Sequence, residues 1–342
     1  MKIYYSNDHQ LHHPPYEIFE YGQQIRYFEQ PSRIENIRAA LANDPFFELT
    51  QAENHGLEPI IRIHSPEYVN FLRTIYRDWL ASGEDIPDGA GLFPTARPLR
   101  QVSPHAIGLS ARLGKFVSDL SAPIHENTYL AAIGSAHCAI SAAKSLLDDQ
   151  EASAALCRPP GHHAGIQNAA GYCYLNNTAI AANLLSRQGK TAILDIDYHA
   201  GNGTQEIFFS RADVLTISIH ADPVSEYPYY SGFSDEIGVG EGEGYHQNYP
   251  LPKDASKEEY LKAFDQAIER ITRFEPQFLV IAAGFDTYKD DPLGTFQLSG
   301  KNYAQIGKTI KELGIKTLIN LEGGYCIEKL GENFRKLLSG FK

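Results

Sequence analysis

Two periods of hydrophobicity run through the chain. In the second half, residues 191–197, 214–220, 278–283 and 316–321 are short apolar runs rich in β-branched residues, each followed by polar or glycine-rich sequence. Such runs predict strands buried on both faces. Between them, residues 256–274 and 303–313 carry apolar positions at helical spacing. In the first half, residues 33–42, 66–82 and 127–147 predict helices in the same way. Alternating strands and helices imply an α/β fold: an open, largely parallel central sheet flanked by helices on both faces. In such sheets, sites form just beyond the C-terminal ends of the strands.

A long stretch, 83–126, separates two of the helices and is rich in glycine and proline. Loops of this length inside a compact fold are functional or interaction elements more often than plain connectors. No repeat, low-complexity tract or linker appears, so a single domain over 1–342 is expected, with 83–126 as an insertion loop.

Composition narrows the function. The 342 residues carry a net charge of −12, with 43% hydrophobic and 21% charged residues. A dense basic surface for nucleic acid is not expected. The four cysteines, Cys138, Cys157, Cys173 and Cys326, form no C-x-x-C pair, which fits free thiols in a reducing cytoplasm. The N-terminus turns polar before a signal-peptide core can form. The most apolar stretch, 129–143, is too short to span a bilayer. A cytoplasmic protein without a membrane partner is the expectation.

Several familiar chemistries are absent from the sequence. It holds no G-x-S-x-G and no H-E-x-x-H. The 108–115 segment has the wrong spacing for a phosphate loop, and Phe116 stands where Ser or Thr is needed. The glycines of 238–244 lead into no helix. What remains lies largely at strand ends. Asp195, Asp197 and His199 alternate, and alternate strand residues share a face. With Asp286, which closes another strand, Asp197 and His199 supply two carboxylates and an imidazole, a donor set suited to catalytic zinc or ferrous iron. His162 and His163 sit in a Pro/Gly-bounded loop and titrate near neutrality. The other adjacent pair, His12 and His13, reads as solvated loop histidines. Tyr325 follows paired glycines that let the backbone turn sharply.

These segments, taken together, resemble the arginase–deacetylase superfamily, specifically its zinc-dependent, histone-deacetylase-like amidohydrolases. The blocks RPPGHHAG (158–165), GYCYLNN (171–177), ILDIDYHAGNGTQ (193–205), AAGFD (282–286) and LEGGY (321–325) occur in the family's order. The N-terminal stretch and the long loop are most similar to the acetylpolyamine amidohydrolases.

The resemblance implies an arginase–deacetylase fold and one catalytic Zn2+ on Asp197, His199 and Asp286. It implies a structural K+ near Asp195 and Ser218. His162, His163 and Tyr325 would be the catalytic groups, with Asp195 orienting His162 and Asn202 orienting His163. Gly171, Tyr172 and Tyr227 would line a substrate tunnel. The activity implied is hydrolysis of the acetyl-amide bond of acetylated polyamines or related small cationic amines, by a homodimer joined through the 83–126 loop. Two other readings are deacetylation of acetyl-lysine in peptides and a catalytically silent member that binds acetylated ligands. Ala200 departs from the pattern, since many relatives carry a second histidine there. Asp119 and Glu126 are the acids near the loop that align with no polyamine-reading pair.

Overall fold

The computed structural model describes residues 1–84, 91–98 and 102–342. The elements in chain order begin with β1 (Lys2–Tyr5), a small hairpin of β2 (Tyr16–Ile18) and β3 (Gln24–Arg26), α1 (Ser32–Leu41), β4 (Glu48–Gln51), α2 (Glu58–Ile61) and α3 (Pro66–Ser82). Then come α4 (Leu109–Phe116), α5 (Thr128–Leu147), β5 (Ala152–Ala155), α6 (Asn177–Ser186), β6 (Thr191–Asp195), α7 (Asn202–Phe208) and β7 (Val214–Ala221). The chain ends with β8 (His246–Leu251), α8 (Lys257–Phe274), β9 (Phe278–Ala283), α9 (Gly300–Glu312), β10 (Lys316–Leu321) and α10 (Ile327–Ser339).

Eight strands form one sheet in the order β4–β1–β5–β10–β9–β6–β7–β8, and every pairing in it is parallel. A parallel sheet needs cover on both faces, and the two apolar cores supply it. One core packs α3, α4, α5 and α6 against the sheet, for example through Phe71, Phe116, Ile140 and Ile180. The other packs α1, α8, α9 and α10 through residues such as Ile37, Phe264, Ile306 and Phe334. Strands β6, β7 and β9 are buried along their whole length, which is why they are predominantly apolar; in β7 the buried polar side chains Thr216, Ser218 and His220 are hydrogen-bonded.

β9 and β10 occupy the predicted residues. The 191–197 run ends its strand earlier, at Asp195, because the Asp195 carboxylate accepts the Asp197 amide at 3.1 Å and starts a turn. The 129–143 stretch lies in the longer α5. Among the described residues this one helix is long and apolar enough to cross a membrane, and 78% of its apolar window is buried against the fold as a core helix. Part of the 83–126 stretch is ordered structure: α4 lies in it, and Leu92 and Ile124 form an antiparallel bridge. Residues 85–90 and 99–101 of the stretch lie outside the described residues.

The reading of His12 is corrected by the fold. Its side chain is fully buried, with Nδ1 3.1 Å from Thr128 Oγ1 and Nε2 3.2 Å from the Tyr27 hydroxyl, and burial pushes its pKa well below the ordinary histidine value. Only His13 of that pair is exposed.

Candidate active site

Strands β5, β10, β9, β6 and β7 are consecutive neighbours in the sheet, so the loops leaving their C-terminal ends converge. β5 leads to His162 and His163, β10 to Tyr325, β9 to Asp286 and β6 to Asp197 and His199. Each block is tied in place locally. Pro159 presents its carbonyl to the Ser135 hydroxyl (2.8 Å) and the Asn177 amide (3.1 Å), while the Asn176 side chain accepts from the Ala179 amide and caps α6.

Asp197, His199 and Asp286 bring one ligand atom each within 4.8 Å of one another. His199 Nδ1 lies 3.3 Å from Asp197 Oδ1 and 3.1 Å from Asp286 Oδ2. The remaining carboxylate oxygens are oriented by backbone amides: Gly323 donates to Asp197 Oδ2 at 2.9 Å and Tyr198 to Asp286 Oδ1 at 2.8 Å. Both acids are fully buried. Burial and the neighbouring Asp197 push Asp286 up to about 7, whereas burial is outweighed at His199 by the two carboxylates, which raise it to about 10. Two buried carboxylates this close favour a cation between them. The set of two oxygens and one nitrogen fits a catalytic zinc or ferrous ion, and so these three residues are the ones that would hold a metal.

The two histidines differ in their partners. His162 Nδ1–H donates to Asp195 Oδ2 at 2.9 Å. Burial alone would depress its pKa, but Asp197 and Asp195 outweigh burial and hold it well above the ordinary value. His163 Nδ1–H donates to the neutral Asn202 Oδ1 at 2.7 Å. Burial, helped by the positive charge of His162 and His199, keeps His163 well below the ordinary value. One imidazole is therefore held charged and the other neutral, with Nε2 available as a base.

The residues expected to bind substrate lie beside the histidines and Tyr325. Gly171 has φ +48°, and a Cβ on it would stand 2.5 Å from His163 Cδ2, so both backbone conformation and space require glycine. The Tyr227 ring lies 4.8 Å from the His163 ring, and its hydroxyl donates to Asp119 Oδ2 at 2.6 Å. The Tyr172 ring lies 5.6 Å from that of Tyr325, and its hydroxyl donates to Glu17 Oε2 at 2.8 Å. Ser218 pairs with Asp195 across β6 and β7 and donates to His220 Nδ1 at 2.7 Å, because His220 Nε2–H is committed to the Gly232 carbonyl at 2.8 Å. Ala200 is buried behind the site, where a Cβ on Gly232 would stand 2.7 Å from its own Cβ. The missing imidazole thus leaves room for the Gly232 backbone to pack down. Of the two unaligned acids, Asp119 accepts from Gly171 and Tyr227, whereas Glu126 is exposed beside Tyr76.

Sequence reasoning missed the supporting roles of Glu322, Arg33, Arg158, Glu29 and Glu17. Glu322 accepts from the Gly161 amide (2.6 Å), the His162 amide (3.1 Å) and the Thr178 hydroxyl (2.7 Å), joining the histidine loop to the tyrosine loop. It lies close to His162 and Cys173 as a second set of potential metal donors. These hydrogen bonds occupy its carboxylate, however, and burial pushes the Cys173 thiol well up, toward the neutral form. Arg33 and Arg158 share the buried Glu29, at 2.9 and 2.8 Å. Glu17, fully buried, is raised by burial to about 7 despite its hydrogen bonds from Tyr172 and Phe28. Glu322, inside LEGGY, and Arg158, which opens RPPGHHAG, lie in recognisable blocks; Glu17, Glu29 and Arg33 reach the site through contacts across 100 residues or more.

Glu17 gives a pH prediction. Its folded-state pKa lies above the model-compound 4.5, so between these values the native state binds more protons than the unfolded state. Stability then falls as pH rises from about 4.5 to about 7, by at most roughly 3 kcal/mol at 1.36 kcal/mol per unit. Glu17→Gln should remove this part of the slope. Parallel melting curves of variant and wild type between about pH 4.5 and 8 would contradict the assignment.

Fold and site together define an amide-hydrolysing deacetylase. The chain belongs to the histone deacetylase domain family, which matches residues 27–341. It is 42% identical to acetylpolyamine amidohydrolase 2 of Pseudomonas aeruginosa, over 100% of this chain and 99% of that protein. It is 36% identical to the acetylpolyamine amidohydrolase of Mycoplana ramosa, over 99% of each. The crystal structure of the acetylpolyamine aminohydrolase from Burkholderia pseudomallei superposes with a TM-score of 0.93 at 38% identity, covering 100% of this chain and 98% of that one. The central parallel sheet and its helical layers are thus those of the deacetylase fold.

Proposed function

We propose that this enzyme removes the acetyl group from acetylated polyamines or related small cationic amines, with one Zn2+ held by Asp197, His199 and Asp286. The observation that carries the reading is the buried cluster of those three residues, flanked by His162 on the Asp195 carboxylate and His163 on the Asn202 amide. Full-length similarity to acetylpolyamine amidohydrolases supports the substrate class. A zinc ion at such a site supplies Lewis acidity toward a carbonyl oxygen and lowers the pKa of water.

The chain's own groups do the rest. His163, neutral and anchored through Nδ1 by Asn202, takes a proton from the attacking water at Nε2 and later returns it to the leaving amine. His162 stays protonated against Asp195 and contributes positive charge beside the reacting centre. Tyr325, whose phenol is kept protonated by burial, donates to the oxyanion that develops on the amide carbonyl. Gly171, Tyr172 and Tyr227 form the wall against which the amine chain lies. Asp195 and Ser218 hold a structural K+, for which the donor set fits: the Ser218 proton is directed at His220, leaving oxygen lone pairs for a cation. The 83–126 stretch joins two copies in a homodimer.

Asn202→Asp tests the division of labour. A carboxylate beside His163 raises its pKa, so the acid limb of the kcat/KM profile should move upward by about one unit or more. An unshifted profile would remove His163 from the role of base. The substrate class is tested by turnover of acetylputrescine against an acetyl-lysine peptide on zinc-loaded protein. Higher kcat/KM for acetylputrescine is expected, and a preference for the peptide would overturn the polyamine assignment in favour of protein deacetylation.

A further inference from the structure

The loop carrying Tyr325 begins with Gly323 and Gly324, and Gly324 has φ +115°. Two successive glycines leave the backbone between Glu322 and Tyr325 with little torsional restraint of its own. A phenol that must meet one oxygen atom therefore needs anchors supplied from elsewhere in the fold.

Gly323 is held by Asp197 Oδ2 and the Phe285 amide, and two further anchors act on Gly324 and Tyr325. Arg33, buried under the loop, donates through Nε to the Gly324 carbonyl at 2.7 Å and through Nη2 to the Glu322 carbonyl. Its guanidinium carbon lies 5.0 Å from the centroid of the Tyr325 ring. The second anchor is Asp291, on the loop that follows β9 and Asp286. Its Oδ2 accepts the backbone amide of Tyr325 at 2.7 Å and that of Cys326 at 2.9 Å, while Oδ1 accepts the Leu293 amide at 3.0 Å. The side chain is 7% exposed, and these three partners are all donors, so the position calls for an acceptor-only carboxylate.

We propose that Asp291 is a positioning residue for Tyr325: by fixing the tyrosine's own backbone amide, it sets where the phenol hydroxyl meets the amide carbonyl of the substrate. Resting on the role given to Tyr325 above, the inference adds a residue that touches neither substrate nor metal. Tyr325 N–H is the first backbone donor after the two glycines, and clamping it transfers the rigidity of the β9 loop to the catalytic side chain. Misplacement of a reacting group by about 1 Å is enough to cost on the order of 100-fold in rate. The competing role is structural. Cys326 precedes α10, so the carboxylate also faces the positive end of that helix. A cap alone would lower the melting temperature and leave turnover intact.

A double-mutant cycle separates the two roles. Wild type, Asp291→Asn, Tyr325→Phe and the double variant are compared as zinc-loaded full-length proteins. The substrate is whichever of acetylputrescine or an acetyl-lysine peptide the wild type turns over. Asparagine keeps the shape but turns an N–H toward a backbone donor. Asp291→Asn is expected to lower kcat about 10-fold or more, with KM and zinc content within about twofold of wild type. In the Tyr325→Phe background it should cost less than about twofold, because no phenol remains to misplace. Equal losses in both backgrounds, or an unchanged kcat with a lowered melting temperature, would overturn the proposal. If Asp291→Asn does not fold, Asp291→Glu keeps the charge at α10 on a longer arm and is read by the same comparison. Wild-type turnover by Tyr325→Phe would instead remove the tyrosine from the chemistry, and with it the mechanism proposed above. A slow Tyr325→Phe with additive losses at Asp291 would refute this inference alone.

Discussion

Tyr325→Phe is expected to lower kcat by about 100- to 1,000-fold while leaving KM and bound zinc nearly unchanged. Only the hydroxyl is removed; the ring remains packed against Tyr172 and Phe28 and above Arg33. The phenol meets negative charge that develops on the carbonyl oxygen after attack, so its loss falls on the transition state rather than on substrate binding. The magnitude is that of one oxyanion donor removed from a water-poor site. Steady-state kinetics with measured zinc content checks it. A raised KM with unchanged kcat would place the tyrosine in substrate binding instead.

His163→Ala should cost about 100- to 10,000-fold in kcat, the range for loss of a positioned general base. The structure makes a sharper comparison possible because the adjacent imidazole is held in the opposite protonation state. Asp197, 3.7 Å from its Nε2, and Asp195 on its Nδ1 hold His162 toward the charged form, so His162 is not poised to take over as the base. His163→Ala should therefore not be compensated by its neighbour. Zinc content should stay at the wild-type level, since His163 is not among the three ligand residues. A kcat within threefold or so of wild type would assign the base elsewhere.

How much of this was legible in the sequence depended on residue type and on range. β9 and β10 were readable to the residue because strands buried on both faces are predominantly apolar, and β-branched side chains mark them. β5, with the sequence Ala-Ser-Ala-Ala, carries no such mark. It is a strand because the small side chains let the alanine- and serine-rich α5 pack closely over it. The metal-binding candidates and the two active-site histidines were readable because the chemistry needs those residue types in short, fixed spacings. The supporting acids were not. Glu17 meets Tyr172 across 155 positions, and Asp291 meets Tyr325 across 34. No local pattern distinguishes either from a solvated surface carboxylate. His12 failed for the same reason, since a distant threonine and tyrosine turn an apparent loop histidine into a buried one.

The net charge of −12 suits a cationic substrate but does not say which acids would meet it. Asp195, Asp197 and Asp286 are spent on the histidines and the metal cluster. Glu17 and Asp119 stand behind Tyr172 and Tyr227, each accepting a phenol hydroxyl.

Amide hydrolysis at a metal held by Asp197, His199 and Asp286 is the proposed reaction. Its most direct test is acetate release from acetylputrescine by protein stripped with a chelator and then titrated with Zn2+. Activity should vanish on stripping and return in full at about one equivalent of zinc. Asp286→Ala should fail to recover under the same titration. Acetate release that survives complete removal of the metal would contradict the account.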